Sequence, residues 1–112
     1  AIVSENAKIG RNVYIGPYAF IQDSVVIGDS CKIFGFCNLY GCKIGENTKI
    51  GTFVEIQKNV VIGKNCKIQS HSFICDGVKI GKGVFVGHGV FFTNDKIPKA
   101  VNEKGKIIKD EW

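Results

Sequence analysis

Four residues in the second half of the chain carry side chains that acyl transfer can use: His71, Asp76, His88 and Asn94. A histidine titrates near neutral pH and can act as a base, while an amide can orient an amine or a carbonyl. His88 follows His71, and Asn94 follows Asp76, after nearly equal stretches of chain. Whether these spacings bring the side chains together depends on the elements that carry them.

Two other interpretations of the histidines stay open at this point. A single histidine in a loop is most often simply solvated. A zinc site with three histidine ligands needs three distinct histidines, and this chain has two. We therefore expect no metal.

An aliphatic residue at nearly every sixth position is the dominant pattern of the chain. The series is Ile9, Ile15, Ile21, Ile27, Ile33, Leu39, Ile44, Ile50, Ile56, Ile62, Ile68, Ile74, Ile80, Val86 and, as its last and aromatic member, Phe92. A period of six fits neither the 3.6 of a helix nor the 2 of an isolated strand. It is typical of a β-helix, in which three short strands and their turns form a coil of about 18 residues. The sequence therefore predicts an all-β parallel β-helix of about five coils.

A coil of this length places the candidate residues, because the members of each pair are separated by about one coil. His71 and His88 are expected near one corner of neighbouring coils, and Asp76 and Asn94 are expected to stack at the next corner. The segment 39–43 is one residue short of a hexad, which predicts a tightened corner after which the register resumes.

The repeat has a second inward position for a small residue, four residues after the leading aliphatic, or three in the short segment 39–43. Four of the five cysteines occupy it: Cys31, Cys37, Cys42 and Cys66. Buried cysteine behaves as a small hydrophobe, and no CxxC ligand pair is present. These four are expected in the core. Cys75 directly follows Ile74, so it is expected nearer the surface.

Composition limits the partners. The formal charge of +5 comes from lysines spread over the turns, which favours phosphate-bearing ligands modestly. The basic residues are not clustered or interleaved with a stacking platform, so nucleic acid is not expected. No run reaches the length of a membrane helix and no leader pattern is present, so a cytoplasmic protein without membrane contact is expected.

The repeat defines two regions. Residues 1–94 are predicted to form the β-helix, and residues 95–112 an excursion from it, marked by Pro98 and Gly105. This excursion is interpreted either as a tail or as a loop that covers a ligand or a neighbouring subunit.

The hexads resemble those of the hexapeptide-repeat acyltransferases. The stretch 56–100, especially Gln69-Ser70-His71-Ser72-Phe73-Ile74-Cys75-Asp76-Gly77-Val78 and Val86-Gly87-His88-Gly89-Val90-Phe91-Phe92-Thr93-Asn94-Asp95, is similar to bacterial nucleotide-sugar N-acetyltransferases. Those enzymes acetylate the 3-amino group of a UDP- or dTDP-linked amino sugar for surface polysaccharides such as lipopolysaccharide.

The resemblance implies a single-stranded, left-handed β-helix and a homotrimer. It implies that acetyl-CoA, as cosubstrate, and the nucleotide sugar meet in a groove between adjacent subunits. Asn94 is then the residue that contacts the reacting amine, and His88 is a second catalytic candidate with a positioning role. Gln69, His71, Asp76 and Asp95 are the candidate substrate-binding residues, and no acetyl-CoA contacts are assigned.

The resemblance also implies a difference at the C-terminus, because family members continue with further hexads that help to bind acetyl-CoA. We therefore expect this polypeptide to be an incomplete enzyme or a shortened relative. Two alternatives to N-acetylation remain: a non-catalytic trimer scaffold or sugar-nucleotide binder, and an O-acetyltransferase, which would need a true base.

Overall fold

Very short strands form the regular structure of residues 1–92. In the computed structural model, which describes residues 1–92, all fifteen strands are two residues long. They are β1 Ile2–Val3, β2 Lys8–Ile9, β3 Tyr14–Ile15, β4 Phe20–Ile21, β5 Val26–Ile27, β6 Lys32–Ile33, β7 Asn38–Leu39, β8 Lys43–Ile44, β9 Lys49–Ile50, β10 Glu55–Ile56, β11 Val61–Ile62, β12 Lys67–Ile68, β13 Phe73–Ile74, β14 Lys79–Ile80 and β15 Phe85–Val86. Within residues 1–92, no helix is long and apolar enough to cross a membrane.

The strands stack into three parallel sheets of five strands each. Sheet A contains β1, β4, β7, β10 and β13; sheet B contains β2, β5, β8, β11 and β14; sheet C contains β3, β6, β9, β12 and β15. Each strand pairs with the third strand along the chain, as in Ile9 beside Ile27. The predicted β-solenoid of about five coils is confirmed.

The leading residue of each hexad is the second residue of a strand and points inward. Ile33, Ile50 and Ile56 are fully buried, as are most of the other leaders. Ile9, in the first coil, stays 37% exposed, because no earlier coil covers it. Stacked aliphatic ladders therefore form the core. The core is least covered in the first coil, at the N-terminal end of the solenoid.

The short segment 39–43 makes a tight corner. Phe20 pairs with Asn38, three full hexads later, whereas the pairing of Val26 with Lys43 spans one residue less. The next coil resumes the register, so the predicted tightening is confirmed. The turn at Gly41 is open: a Cβ there would meet its nearest atom at 3.6 Å, the carbonyl oxygen of Asp23.

The corners use a turn residue with positive φ. We name them by the sheets they join: corner AB follows the strands of sheet A, corner BC those of sheet B and corner CA those of sheet C. Within residues 1–92, ten non-glycine residues have φ between 56° and 63°, a region that L side chains rarely adopt. They are Asn12, Tyr18, Ser24, Ser30, Phe36, Asn47, Phe53, Asn59, Asn65 and His71.

The small inward position is buried in the middle coils, whereas Val84 in the last complete coil is 37% exposed. Several residues at this position also donate hydrogen bonds. The thiols of Cys31, Cys37 and Cys66 lie 3.1, 2.9 and 3.0 Å from the carbonyl oxygens of glycines in the next coil, to which they donate. Thr48 donates in the same way to a glycine carbonyl at 3.0 Å. Cys42 is also fully buried, and burial raises the pKa of its thiol to about 12.

Candidate functional site

Corner CA brings the two histidines together. His71 follows β12 and His88 follows β15, one coil later. The Nδ1 atom of His88 lies 2.9 Å from the hydroxyl oxygen of Ser70, within hydrogen-bond distance. The amide of Gly89 donates to the carbonyl of Ser70 at 3.0 Å, which fixes the coil of His88 directly over that of His71. Both histidines are exposed.

His71 is the last ring of a stack that runs along this corner. We call Tyr18, Phe36, Phe53 and His71 the aromatic ladder. Successive ring centroids are 5.1 Å apart, with interplanar angles of 21°, 18° and 25°. The ring of His71 is therefore held by Phe53 on one face.

Gln69 belongs to the same corner. It directly follows β12 in the turn that contains His71, and its amide donates to the carbonyl of Val86 at 2.9 Å. The structure thus gathers three of the predicted site residues, Gln69, His71 and His88, in two neighbouring turns.

Asp76 lies at corner AB, across β13 from His71. It is half-buried, its amide donates to the side-chain oxygen of Gln57 at 3.2 Å, and its carboxylate accepts from the Asn59 side chain at 3.4 Å. The site predicted from the sequence is therefore divided between two corners, as its spacings indicate. Asn94 and Asp95 lie outside the described residues, so the stacking of Asn94 on Asp76 stays a prediction.

An open groove of about 630 Å³ lies at corner AB, in the coils that precede the turn of Asp76. Its lining includes Asp23, Tyr40, Gly41, Lys58 and Asn59. Tyr40 and Gly41 belong to the short segment 39–43, and the side chain of Asn59, which also lines the groove, donates to Asp76. Sequence reasoning noticed the missing residue but did not predict a groove from it.

Lysines form a second feature that sequence reasoning missed. In sheet C, Lys32 pairs with Lys49 and Lys49 with Lys67, so three exposed lysines stack on the outer face. We call them the lysine ladder. Their separation by one coil at a time was the available signal. This ladder lies immediately before corner CA, beside the aromatic ladder.

The family model for the GMPPB C-terminal domain matches residues 1–108. The chain therefore belongs to the GMPPB C-terminal domain family, which has the hexapeptide-repeat fold. No functionally curated protein matches the sequence.

Three solved structures with this fold are acyltransferases. A variant of GDP-perosamine N-acetyltransferase from Caulobacter crescentus, in complex with CoA and GDP-perosamine, aligns with a TM-score of 0.68 and 20% identity over 97% of this chain and 53% of that chain. Serine acetyltransferase isoform 3 from Entamoeba histolytica, in complex with cysteine, aligns with a TM-score of 0.69 and 21% identity over 92% of this chain and 38% of that chain. A UDP-N-acetylglucosamine acyltransferase aligns with a TM-score of 0.60 and 19% identity over 81% of this chain and 50% of that chain. The chain spans about half or less of the length of these proteins.

Proposed function

We propose that the chain is the β-solenoid part of an acetyltransferase that moves acetyl from acetyl-CoA to the amino group of a nucleotide-linked sugar in the cytoplasm. The observation that carries the proposal is the pair of histidines at corner CA. The turns of the other corners contain no histidine within residues 1–92, and the solved examples of this fold given above are acyltransferases. The GDP-perosamine enzyme supports the choice of substrates, because its structure holds CoA and a nucleotide-linked sugar.

The reaction joins the amine nitrogen to the thioester carbonyl carbon. The carbonyl oxygen becomes an oxyanion, the carbon–sulfur bond then breaks, and the thiolate of CoA leaves and takes up a proton released by the amine. Such a reaction is accelerated mainly by holding the reactants together and by donors aimed at the oxyanion. A neutral amine needs no strong base, so positioning is the main task of the protein.

In this proposal Asn94 holds the attacking amine. His88 has a positioning role, since its Nδ1 is engaged by Ser70 at 2.9 Å and Nε2 is left to face a ligand. Gln69, His71, Asp76 and Asp95 contact the nucleotide sugar. The site lies between adjacent subunits of a homotrimer and serves the synthesis of surface polysaccharide.

The decisive experiment is a transfer assay with acetyl-CoA and UDP-, dTDP- or GDP-linked amino sugars, following release of free CoA thiol. Asn94→Ala is expected to lower kcat/KM by roughly 100-fold or more, the usual loss when one oriented polar group of a transition-state site is removed. Its midpoint of thermal unfolding should stay near that of the wild type.

Asn65→Ala is the matched control, because Asn65 lies in a turn at corner BC, away from both candidate corners. That variant should turn over like the wild type. Wild-type turnover by Asn94→Ala would remove the role assigned to Asn94, and no turnover of any amino sugar by the wild type would refute the proposed activity.

A second candidate is a non-catalytic binding or assembly domain. It is compatible with the family match, which is to a domain and not to a whole enzyme. This candidate predicts that acetyl-CoA produces no thermal shift, while a nucleotide sugar still does. An O-acetyltransferase is distinguished by His88→Ala, which would abolish transfer to a hydroxyl with binding retained, because an alcohol needs a base.

A further inference from the structure

Within residues 1–92, aromatic side chains at positive φ are confined to corner CA. The corresponding turn positions at corners AB and BC hold only asparagine, serine or glycine, which tolerate this backbone region, as in Asn47, Asn59 and Gly83. At corner CA the same position holds Tyr18, Phe36, Phe53 and His71. Residues kept in an unfavourable backbone region are candidates for a functional role.

The aromatic ladder stops one coil before the described structure does. The position that follows His71 in the stack is Gly89, with φ 65°. Within residues 1–92, no atom lies within 4 Å of the Cβ that a side chain at this position would carry. The ring of His71 is thus the floor of an open slot at the level of Gly89, one coil rise of about 4.8 Å above the turn of His71. That spacing suits one more planar ring.

Positive charge lies one coil below the slot, where Lys67 precedes the turn of His71, and Phe85 takes the same sheet position at the level of the slot. Lys67 lies in the strand that leads into the turn of His71, and it stacks on Lys49 and Lys32 through parallel pairing. Like charges directly opposite each other in a sheet are unfavourable. An anion that bridges the lysine ladder would relieve this repulsion.

We propose that the slot over His71 binds a nucleobase, with the attached phosphates directed towards the lysine ladder. The base continues the ring stack in the place that Gly89 leaves empty, and His88 faces the ligand from the adjoining turn position. The inference rests on the proposed function for its choice of ligands, because both a nucleotide sugar and CoA combine a base with phosphates.

Isothermal titration calorimetry on the full chain tests the slot with UDP, dTDP, GDP and CoA as separate probes. His71→Ala should weaken binding of the bound probe about 10-fold or more, in line with the contribution of one base–aromatic stack. His71→Phe keeps a ring at a position type that already accepts Phe36 and Phe53, so it should bind within about threefold of the wild type.

Gly89→His provides the sharper test, because it adds a fifth ring to the ladder and fills the slot. Binding should be lost while the fold is kept. Gly83→His is its matched control: Gly83 occupies the same turn position at corner BC, has φ 69° and also has no atom within 4 Å of an added Cβ. That variant should bind like the wild type.

The phosphate part is tested by salt and by Lys67→Gln. Binding should weaken with rising salt, and Lys67→Gln should reduce both the affinity and the salt dependence. Lys79→Gln, which replaces an exposed lysine of sheet B, should change neither. Equal effects of the two lysine variants would overturn the assignment of the phosphates.

Failure of the slot and failure of the proposed function give different results. If the probes bind in a His71-dependent way but no amino sugar is acetylated, the slot stands and the function fails. If acetylation occurs and His71→Ala and Gly89→His leave both KM and the dissociation constants unchanged, the ladder is only structural and the inference is wrong.

If none of the four probes binds the wild type, the inference of a base-binding slot is also wrong. If His71→Ala and Gly89→His lose only the binding of CoA, CoA is the source of the base. If they lose only the binding of a nucleoside diphosphate, the nucleotide sugar is the source.

Discussion

The inward thiols are buried donors, and this determines their reactivity. Burial raises the pKa of the Cys31 and Cys37 thiols and raises that of Cys42 to about 12. Only the thiolate is a nucleophile, so a higher pKa leaves a smaller reactive fraction at any pH below it. Cys75, in contrast, is half-exposed at corner AB.

We therefore expect one thiol to react rapidly in the native protein. At pH 8, iodoacetamide should modify Cys75 within minutes, while Cys31, Cys37, Cys42 and Cys66 should react only after denaturation. Mass spectrometry of the intact protein measures the number modified. Cys75→Ser is the control and should leave the native protein unmodified. Rapid modification of two or more thiols of the folded protein at pH 8 would contradict the burial of the four inward cysteines.

At the scale of the turns, close packing between coils makes some glycines irreplaceable. A Cβ at Gly45 would lie 2.5 Å from the amide nitrogen of Lys64 and 2.6 Å from the carbonyl carbon of Gly63. These are backbone atoms of the next coil, so they cannot move aside without separating the coils. At Gly41 the nearest atom would be 3.6 Å away, an ordinary contact.

Gly45→Ala is accordingly expected to lower the free energy of unfolding by about 1–3 kcal/mol, the usual cost of forcing extra atoms into a packed site. Gly41→Ala is the matched control and should change it by less than about 0.5 kcal/mol. Urea denaturation followed by circular dichroism measures both. Equal losses in the two variants would show that the tight corner is packed as closely as the regular corners.

The fold could be predicted from the sequence because a six-residue period assigns nearly every inward position. Ile44 and Ile62, for example, are paired neighbours as their spacing requires. The same arithmetic placed His71 and His88 at one corner. It could not predict that His71 stacks on Phe53, since the direction of a turn side chain depends on the positive φ that period alone does not reveal. The groove beside Gly41 was missed for a similar reason: a missing residue shows where a corner tightens but not what shape results.

At the scale of the whole molecule, exposed aromatic side chains are concentrated around corner CA, next to the lysine ladder of sheet C. The aromatic ladder is flanked by exposed rings on sheets C and A: Tyr14, Phe20, Phe85 and Phe91. Phe91 is 71% exposed and Phe20 46%. Soluble monomers rarely expose large contiguous apolar surfaces, and such surfaces mark contacts with partners. In the proposed homotrimer this side of the solenoid meets the neighbouring subunits. The slot over His71 lies on the same side, in the last coil of residues 1–92.

Phe20→Glu is expected to weaken the trimer, because it places a charge on this surface, where the desolvation of a carboxylate is costly. Size-exclusion chromatography with light scattering should show the wild type at three times the mass of the chain and the variant at lower mass in the micromolar range. Val61→Glu is the matched control, since Val61 is also the outward residue of a two-residue strand, is 36% exposed and lies on sheet B. A variant that stays trimeric, or a control that dissociates equally, would place the subunit contact elsewhere. A monomeric wild type would refute the homotrimer, and with it a site shared between subunits.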